Sequence, residues 1–122
     1  MKALVIDDSK VMRNMLRAYL SDFGIETNCA EDGLDALEKV TVESEYDFAL
    51  VDWDMPRMTG IEFVKEVRSK SELQSMKLLM VTAHTAMEDV GQALHEGAND
   101  FLMKPFSKEM VEEKLSIMGL LN

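Results

Sequence analysis

The sequence has few of the features that mark an exported protein, a protein stabilised by disulfides or zinc, or a membrane protein. Its only cysteine, Cys29, excludes an internal disulfide and a cysteine-based zinc site. No apolar run reaches the roughly 18 uninterrupted residues that a membrane span needs. The segment Met1–Asp8 ends in two carboxylates where a signal peptide would continue its apolar stretch. We therefore expect a soluble, cytoplasmic protein that does not bind a membrane.

Basic residues are also scarce. Lysine and arginine number 13 against 23 aspartates and glutamates, for a formal net charge of −10, and no basic block occurs anywhere. A surface of that sign repels nucleic acid, so we expect no direct binding of DNA or RNA. The acidic balance does not by itself identify a partner, because it often serves only solubility.

Along the chain, the spacing of apolar residues alternates between strand-like and helix-like patterns. The 122 residues suffice for one core, and no linker, repeat or low-complexity segment interrupts them, so we predict a single domain over residues 1–122. The patterns predict strands at Lys2–Ile6, Ile25–Ala30, Phe48–Val51, Lys77–Val81 and Asp100–Met103. A helix is predicted after each strand; Ser9 caps the first one, and the last two cover Ala86–His95 and about Ser107–Met118.

Such alternation predicts a parallel sheet covered by helices on both faces, because each parallel connection must cross over. In these sheets ligands bind outside the carboxyl ends of the strands. Asp7-Asp8, Asp52, Thr82 and Lys104 each stand at the carboxyl end of a different predicted strand. We therefore expect all of them to meet in one crevice.

These residue types together suit phosphoryl transfer. Crowded carboxylates repel one another unless a cation binds, and Mg²⁺ prefers oxygen ligands. Asp8 and Asp52 could bind it directly and Asp7 through water, although Asp7-Asp8 taken alone is better explained as a solvated turn. Lys104 supplies the point charge that a phosphoryl group needs, and the Thr82 hydroxyl can bond a phosphoryl oxygen. Asp52 would then be a carboxylate nucleophile.

The sequence resembles the bacterial two-component response-regulator receiver domain, especially the stand-alone chemotaxis (CheY-like) type. The resemblance covers essentially the whole chain. It is carried by Val5–Ser9 with Arg13, Ala30–Gly33, Val51–Gly60, Met80–Ala83, Gly97–Phe101 and Lys104–Phe106. It implies a flavodoxin-like α/β fold, with a five-stranded parallel sheet in the order 2-1-3-4-5.

The resemblance also implies a role for each matching residue. Asp52 is the phosphorylated residue, and Asp7, Asp8 and Asp52 bind Mg²⁺ together with the backbone carbonyl of Asp54. The phosphoryl-binding residues are Lys104, Thr82 and Ala83, and the switch residues are Thr82 and Phe101. The implied protein is a signalling switch that catalyses only its own phosphorylation and dephosphorylation. Its partners are a sensor histidine kinase or phosphotransfer protein and an unknown output protein, and we expect it to be a monomer.

Two positions depart from the family pattern. Phe101 stands where the chemotaxis type usually has tyrosine, so switching through a ring hydroxyl is absent here. Asp54 brings a carboxylate where a neutral amide would repel a phosphoryl group less. Asp54 and His84, which follows Thr82 by two residues, are therefore candidates for tuning the lifetime of the phosphoryl group.

Three alternatives compete with this interpretation, and we set the second of them, a nucleotide binder, aside. Asp52-Trp53-Asp54 also resembles the Asp-x-Asp motif of haloacid-dehalogenase-type phosphatases, but those enzymes place it after the first strand. A flavodoxin-like nucleotide binder would need a Gly/Ser/Thr-rich phosphate loop after the first strand, where this chain has Asp7-Asp8. The chain could also be a receiver domain cut from a longer regulator.

Overall fold

Strands and helices alternate along the chain in the computed structural model, which describes residues 1–42, 45–83 and 86–121. The strands in these ranges are β1 Lys2–Ile6, β2 Glu26–Ala30, β3 Phe48–Asp52, β4 Lys77–Thr82 and β5 Asp100–Met103. The helices are α1 Lys10–Asp22, α2 Gly33–Val42, α3 Gly60–Arg68, α4 Met87–Glu96 and α5 Lys108–Ile117. None of these helices has the length and apolar character to cross a lipid bilayer.

The strands form one parallel sheet in the order β2-β1-β3-β4-β5, as predicted. The chain runs from β1 outward to β2 and then crosses back to β3, so the direction of winding reverses between β1 and β3. In open parallel sheets, this reversal opens a crevice outside the carboxyl ends of the strands. The residues that follow β1 and end β3 therefore border the crevice.

Each face of the sheet has its own buried cluster, because successive side chains of a strand point to opposite faces. Leu4 and Met80 belong to the cluster that packs against α2, α3 and α4. Val5 and Leu50 belong to the cluster that packs against α1 and α5. The predicted helices on both faces are thereby confirmed. The three inner strands β1, β3 and β4 are nearly all apolar because neither of their faces meets water, whereas the edge strand β2 is more polar and more exposed.

The helix ends follow the expected capping rules. The Met12 N–H donates to Ser9 Oγ at 3.3 Å, which confirms Ser9 as the N-cap of α1. The sequence predicts that α4 and α5 begin at Ala86 and Ser107; both residues are instead N-caps, and each helix begins one residue later. Gly97 ends α4 with a φ of 121°, a left-handed conformation that glycine adopts without steric cost. These two differences are between a cap and the first helical residue, and the other predicted bounds differ from the structure by at most one residue.

The loop after β3 returns the chain tightly against the end of that strand. The Gly60 N–H donates to the Trp53 carbonyl at 2.9 Å. A Cβ at Gly60 would collide with the carbonyl oxygen of Asp52, so only hydrogen fits there. Thr59 caps α3 and forms a capping box with Glu62. Helix α3 consequently begins at a fixed position relative to Asp52.

Replacing Gly60 with alanine should lower the free energy of unfolding by roughly 1–3 kcal/mol, the usual cost of overpacking. Gly91, inside α4, is the matched control, because no atom lies within 4 Å of a Cβ built there. Gly91→Ala should raise the free energy of unfolding by about 0.4–1 kcal/mol, since alanine loses less backbone entropy on folding. Urea unfolding measures both values, and stabilisation by both substitutions would contradict the close contact at Gly60.

Candidate functional site

Polar side chains from four strand ends meet at one edge of the sheet. Asp7 and Asp8 follow β1, Asp52 ends β3, Thr82 ends β4 and Lys104 follows β5. Asp7, Asp8 and Asp52 each offer a carboxylate oxygen, and these oxygens lie within 4.8 Å of one another. The structure therefore brings together the acidic residues that the sequence places at strand ends.

Lys104 places its ammonium group beside two of these carboxylates. Its Nζ donates to Asp52 Oδ1 at 3.0 Å and lies 3.6 Å from Asp7 Oδ2. The Lys104 backbone N–H donates to the Thr82 carbonyl at 2.8 Å, and the next peptide bond, to Pro105, is cis. The end of β5 is thereby held against the end of β4, with the lysine directed toward β1 and β3.

Strand alternation decides which side of the sheet each site residue faces. Asp52 shares its face with Leu50 and so lies on the α1/α5 side of the sheet. Thr82 shares its face with Met80 and so lies on the side of α2, α3 and α4. Phe101 pairs with Met80 across β4 and β5 and packs against the same cluster. Thr82 and Phe101, the two predicted switch residues, are therefore on one face, and Asp52 is on the other.

Asp7 is held more rigidly than a residue in a solvated turn. The Ser9 N–H donates to Asp7 Oδ1 at 2.9 Å, and the Arg13 guanidinium donates to the Asp7 carbonyl oxygen at 2.6 Å. Asp7 Oδ2 is buried and has no hydrogen-bond donor among the described residues, since Lys104 lies too far away to donate. A buried carboxylate oxygen in this state costs free energy unless a cation binds it. The acidic cluster therefore fits Mg²⁺, a hard cation that prefers oxygen ligands.

Two further predicted site residues are exposed loop positions. Asp54, in the loop after β3, and Ala83, directly after β4, are both exposed. The metal-binding role of the Asp54 carbonyl and the phosphoryl-binding role of Ala83 stay predictions. His84 lies outside the described residues, and its effect on the phosphoryl lifetime, like that of the Asp54 side chain, also stays a prediction.

Another buried carboxylate, outside the acidic cluster, holds the loop that follows Asp52. Asp32 is 3 % exposed, and its Oδ2 accepts a hydrogen bond from Arg57 Nε at 2.7 Å. Arg57 has a φ of 67°, a left-handed conformation that costs free energy in a residue other than glycine. The ion pair stabilises Arg57 in this conformation, and it links the loop to the start of α2. Sequence reasoning assigned no role to this pair, because its members are 25 positions apart and the only local signal is an aspartate just before a helix.

The environment of Asp52 disfavours its ionised form. Burial raises the pKa of Asp52, and the negative charges of Asp7 and Asp8 raise it further, while the hydrogen bond from Lys104 opposes this only in part. Burial alone would lower the pKa of Lys104, but its contacts with Asp52 and Asp7 outweigh that effect and raise it. The lysine therefore stays protonated, and the charge on Asp52 is incompletely compensated.

The environment of Asp32 has the opposite effect. Burial alone would raise the pKa of Asp32, but the backbone hydrogen bond from Asp35 and the contact with Arg57 outweigh burial and hold it below its ordinary value. The fold therefore contains two buried aspartates of opposite electrostatic character. The fold stabilises the ionised form of Asp32 and destabilises the ionised form of Asp52.

Known proteins share this fold and much of this sequence. The response regulator receiver domain family matches residues 3–116. Chemotaxis protein CheY1 of Helicobacter pylori is 37% identical over 119 residues, which cover 97% of this chain and 96% of that protein. Chemotaxis protein CheY-3 of Vibrio cholerae is 38% identical over 116 residues, which cover 94% and 88%. The crystal structure of Vibrio cholerae CheY4 aligns with a TM-score of 0.89 at 38% identity, covering 95% of this chain and 96% of that one.

The chain belongs to the response regulator receiver family. It is a CheY-type receiver domain of two-component signalling, which confirms the resemblance seen in the sequence. The position of Asp52 after the third strand counts against a haloacid-dehalogenase-type phosphatase. The acidic pair Asp7-Asp8 after β1 likewise counts against a nucleotide-binding phosphate loop.

In metal-free buffer at neutral pH, replacing Asp52 and replacing Asp32 with asparagine should change the free energy of unfolding in opposite directions. Asp52→Asn should raise the free energy of unfolding, because it removes a charge that the fold disfavours. Asp32→Asn should lower it, because it removes a charge that the fold favours. Urea unfolding of both variants beside the wild type measures these changes.

The pH dependence of the two effects should also differ in sign. The raised pKa of Asp52 stabilises the wild type below the ordinary value of 3.8, and this contribution is lost as the pH rises through the folded pKa. The lowered pKa of Asp32 stabilises the wild type above 3.8, and this contribution is lost as the pH falls through the folded pKa. If both substitutions changed the free energy of unfolding in the same direction at neutral pH, the opposite electrostatic environments assigned to Asp52 and Asp32 would be contradicted.

Proposed function

We propose that this receiver domain accepts a phosphoryl group on Asp52 from a sensor histidine kinase or phosphotransfer protein in a Mg²⁺-dependent reaction. The observation that carries the proposal is the 3.0 Å contact between Lys104 Nζ and Asp52 Oδ1, beside two further carboxylates at the carboxyl edge of the sheet. Phosphoryl transfer requires a nucleophile, a positive point charge and ligands for a metal ion. All three requirements are met by side chains within this cluster.

The residues of the chain position the reacting atoms. A carboxylate oxygen of Asp52 attacks phosphorus in line with the leaving group. The bond between phosphorus and the donor's imidazole nitrogen breaks, and the nitrogen keeps the electron pair. Lys104, which pairs with Asp52 before transfer, then has a phosphoryl oxygen as a partner. Thr82 and Ala83, at the end of β4, donate hydrogen bonds to a phosphoryl oxygen.

The metal-binding residues act before and during transfer. Asp7, Asp8 and Asp52, with the backbone carbonyl of Asp54, would hold Mg²⁺ in the cluster. When bound, this ion supplies positive charge that offsets the charge on the phosphoryl oxygens. It would also relieve the repulsion among the carboxylates and satisfy Asp7 Oδ2, which is buried without a donor in the described part of the chain. Binding of the ion and phosphorylation should therefore be coupled.

Phosphorylation should be measurable without a protein donor. Wild type incubated with acetyl phosphate and Mg²⁺ should gain the mass of one phosphoryl group, and Trp53 fluorescence should change because this residue adjoins the nucleophile. Asp52→Asn should gain none, whereas Asp22→Asn, at the exposed end of α1, should react like the wild type. Equal labelling of Asp52→Asn would contradict the assignment of the nucleophile. Equal labelling in excess chelator would contradict the role of Mg²⁺.

The proposed response acts on the surface formed by α4, β5 and α5. Phe101 in β5 is only half-buried, and the Lys114 ammonium lies 5.1 Å from the centre of its ring. Large apolar side chains are exposed on both flanking helices: Met87, Leu94, Met110 and Ile117. Exposed apolar side chains of this kind support a protein partner on this surface.

Thr82 links the site to that surface. When its hydroxyl turns toward the phosphoryl oxygen, it leaves space on the face that it shares with Phe101, and the ring moves inward. A phenyl ring loses no hydrogen bond on burial, but it gives up its contact with Lys114. Shifting the ratio of inward to outward positions of the Phe101 ring from 1:99 to 99:1 takes about 5.5 kcal/mol. Several charge-assisted hydrogen bonds to the phosphoryl group, at roughly 1.5–3 kcal/mol each, together match this free energy.

Thr82→Ala should therefore uncouple phosphorylation from the response. The variant should still accept phosphate on Asp52, but a phosphoryl mimic such as beryllium fluoride should shift the Phe101 ring signals in NMR spectra much less than in the wild type. Thr27→Ala, the same change in the middle of β2, is the control and should behave like the wild type. Full wild-type shifts of the Phe101 ring in Thr82→Ala would contradict the coupling.

A further inference from the structure

A cavity of about 510 Å³ opens beside the acidic cluster on the α1/α5 side of the sheet. This volume lies in the range of roughly 300–1,000 Å³ that is typical of small-molecule sites. Its lining residues come from the start of α1, the end of β4 and the segment that follows β5: Met12, Met15, Ala83, Lys104, Pro105 and Phe106. Apart from Lys104, every lining side chain is apolar.

Lys104 belongs both to this cavity and to the proposed phosphoacceptor site. Its Nζ contacts Asp52 Oδ1 at 3.0 Å, and Asp52 faces the same side of the sheet as the cavity. A molecule that presented a phosphoryl group to Asp52 could therefore extend its remaining atoms into the cavity. The charge and polarity of the lining match a molecule with an anionic head and a short apolar tail.

The apolar part of the cavity is suited to ligands of more than one shape. Met12, Met15 and Phe106 are half-buried, so a bound apolar group would remove part of their remaining surface from water. Methionine side chains are unbranched and flexible, and they adapt to different partners. Met12 and Phe106 also pack against the buried cluster beneath them, which keeps the floor of the cavity in place.

We propose that this cavity binds the apolar acyl or aryl group of small phosphodonors, so that acyl phosphates with longer apolar chains phosphorylate Asp52 faster than acetyl phosphate. This inference rests on the proposed function, because it names the donor class for the same nucleophile. In the reaction, an Asp52 oxygen forms a bond to phosphorus and the bond from phosphorus to the acyl oxygen breaks. The acyl group leaves as a carboxylate with the electron pair, so no proton and no further reactant is needed.

The test compares acetyl, propionyl, butyryl and benzoyl phosphate as donors to the wild type and to the double variant Met12→Gln/Met15→Gln. Glutamine nearly matches methionine in size but replaces an apolar wall with amide groups. For each donor, the wild-type rate is divided by the rate of the double variant. Because both proteins receive the same donor, differences in donor reactivity cancel in this ratio. This ratio should stay near one for acetyl phosphate and rise by up to roughly fourfold for each additional buried methylene group. Leu34→Gln, on the exposed side of α2, is the control and should match the wild type.

A binding measurement keeps the test independent of how well the double variant folds. In wild-type protein with Mg²⁺, butylphosphonate should shift the NMR signals of the Met12 and Met15 methyl groups, whereas methylphosphonate should leave them in place. Absence of such shifts, or a rate ratio that is the same for all four donors, would overturn the proposal.

Three further outcomes distinguish this inference from the proposed function on which it rests. If the double variant slowed transfer only from a phosphorylated histidine phosphotransfer protein, the cavity would be a protein contact and the small-donor proposal would be wrong. If no donor labelled the wild type at all, the proposed function itself would fail. Labelling of the wild type without any dependence on chain length would overturn only the inference about the cavity.

Discussion

Asp7, Asp8 and Asp52 bring three carboxylate oxygens within 4.8 Å of one another, and the Lys104 ammonium contacts two of the three groups. One lysine charge does not balance three carboxylates, so the free protein carries uncompensated negative charge at its most enclosed edge. The hydrophobic packing of the sheet offsets that cost, because the strand ends are fixed by burial rather than by the charges themselves. A divalent cation bound among these carboxylates would relieve the same repulsion.

The sheet also separates the proposed phosphoacceptor from the proposed switch residues. Asp52 and the apolar cavity lie on the side of α1 and α5, whereas Thr82 and Phe101 lie on the side of α2, α3 and α4. Because successive residues of a strand alternate between faces, adjacent strand ends can direct side chains to both sides of one edge. The proposed phosphoacceptor and the two proposed switch residues therefore lie on opposite faces of the sheet, next to one another at its carboxyl edge.

The fold and the acidic cluster were predictable because both depend on local patterns. Apolar runs located the strands, and the residues after four of the five runs meet at the candidate site, as with Asp52 and Lys104. The pair Asp32–Arg57 was not predictable, since its two members meet only through the packing of a loop on a distant helix. The cavity was missed for a similar reason: the methionines of α1 have core spacing, and only the placement of the segment after β5 leaves Met12 and Met15 beside a space.

The tight return at Gly60 has a consequence for the evolution of this surface. The hydrogen bond from the Gly60 N–H to the Trp53 carbonyl and the close approach of Gly60 to the Asp52 carbonyl set the number of residues between β3 and α3. An inserted or deleted residue cannot be absorbed, because it would rotate α3 about its axis and move its apolar stripe off the sheet. Among related sequences this connection should therefore keep its length.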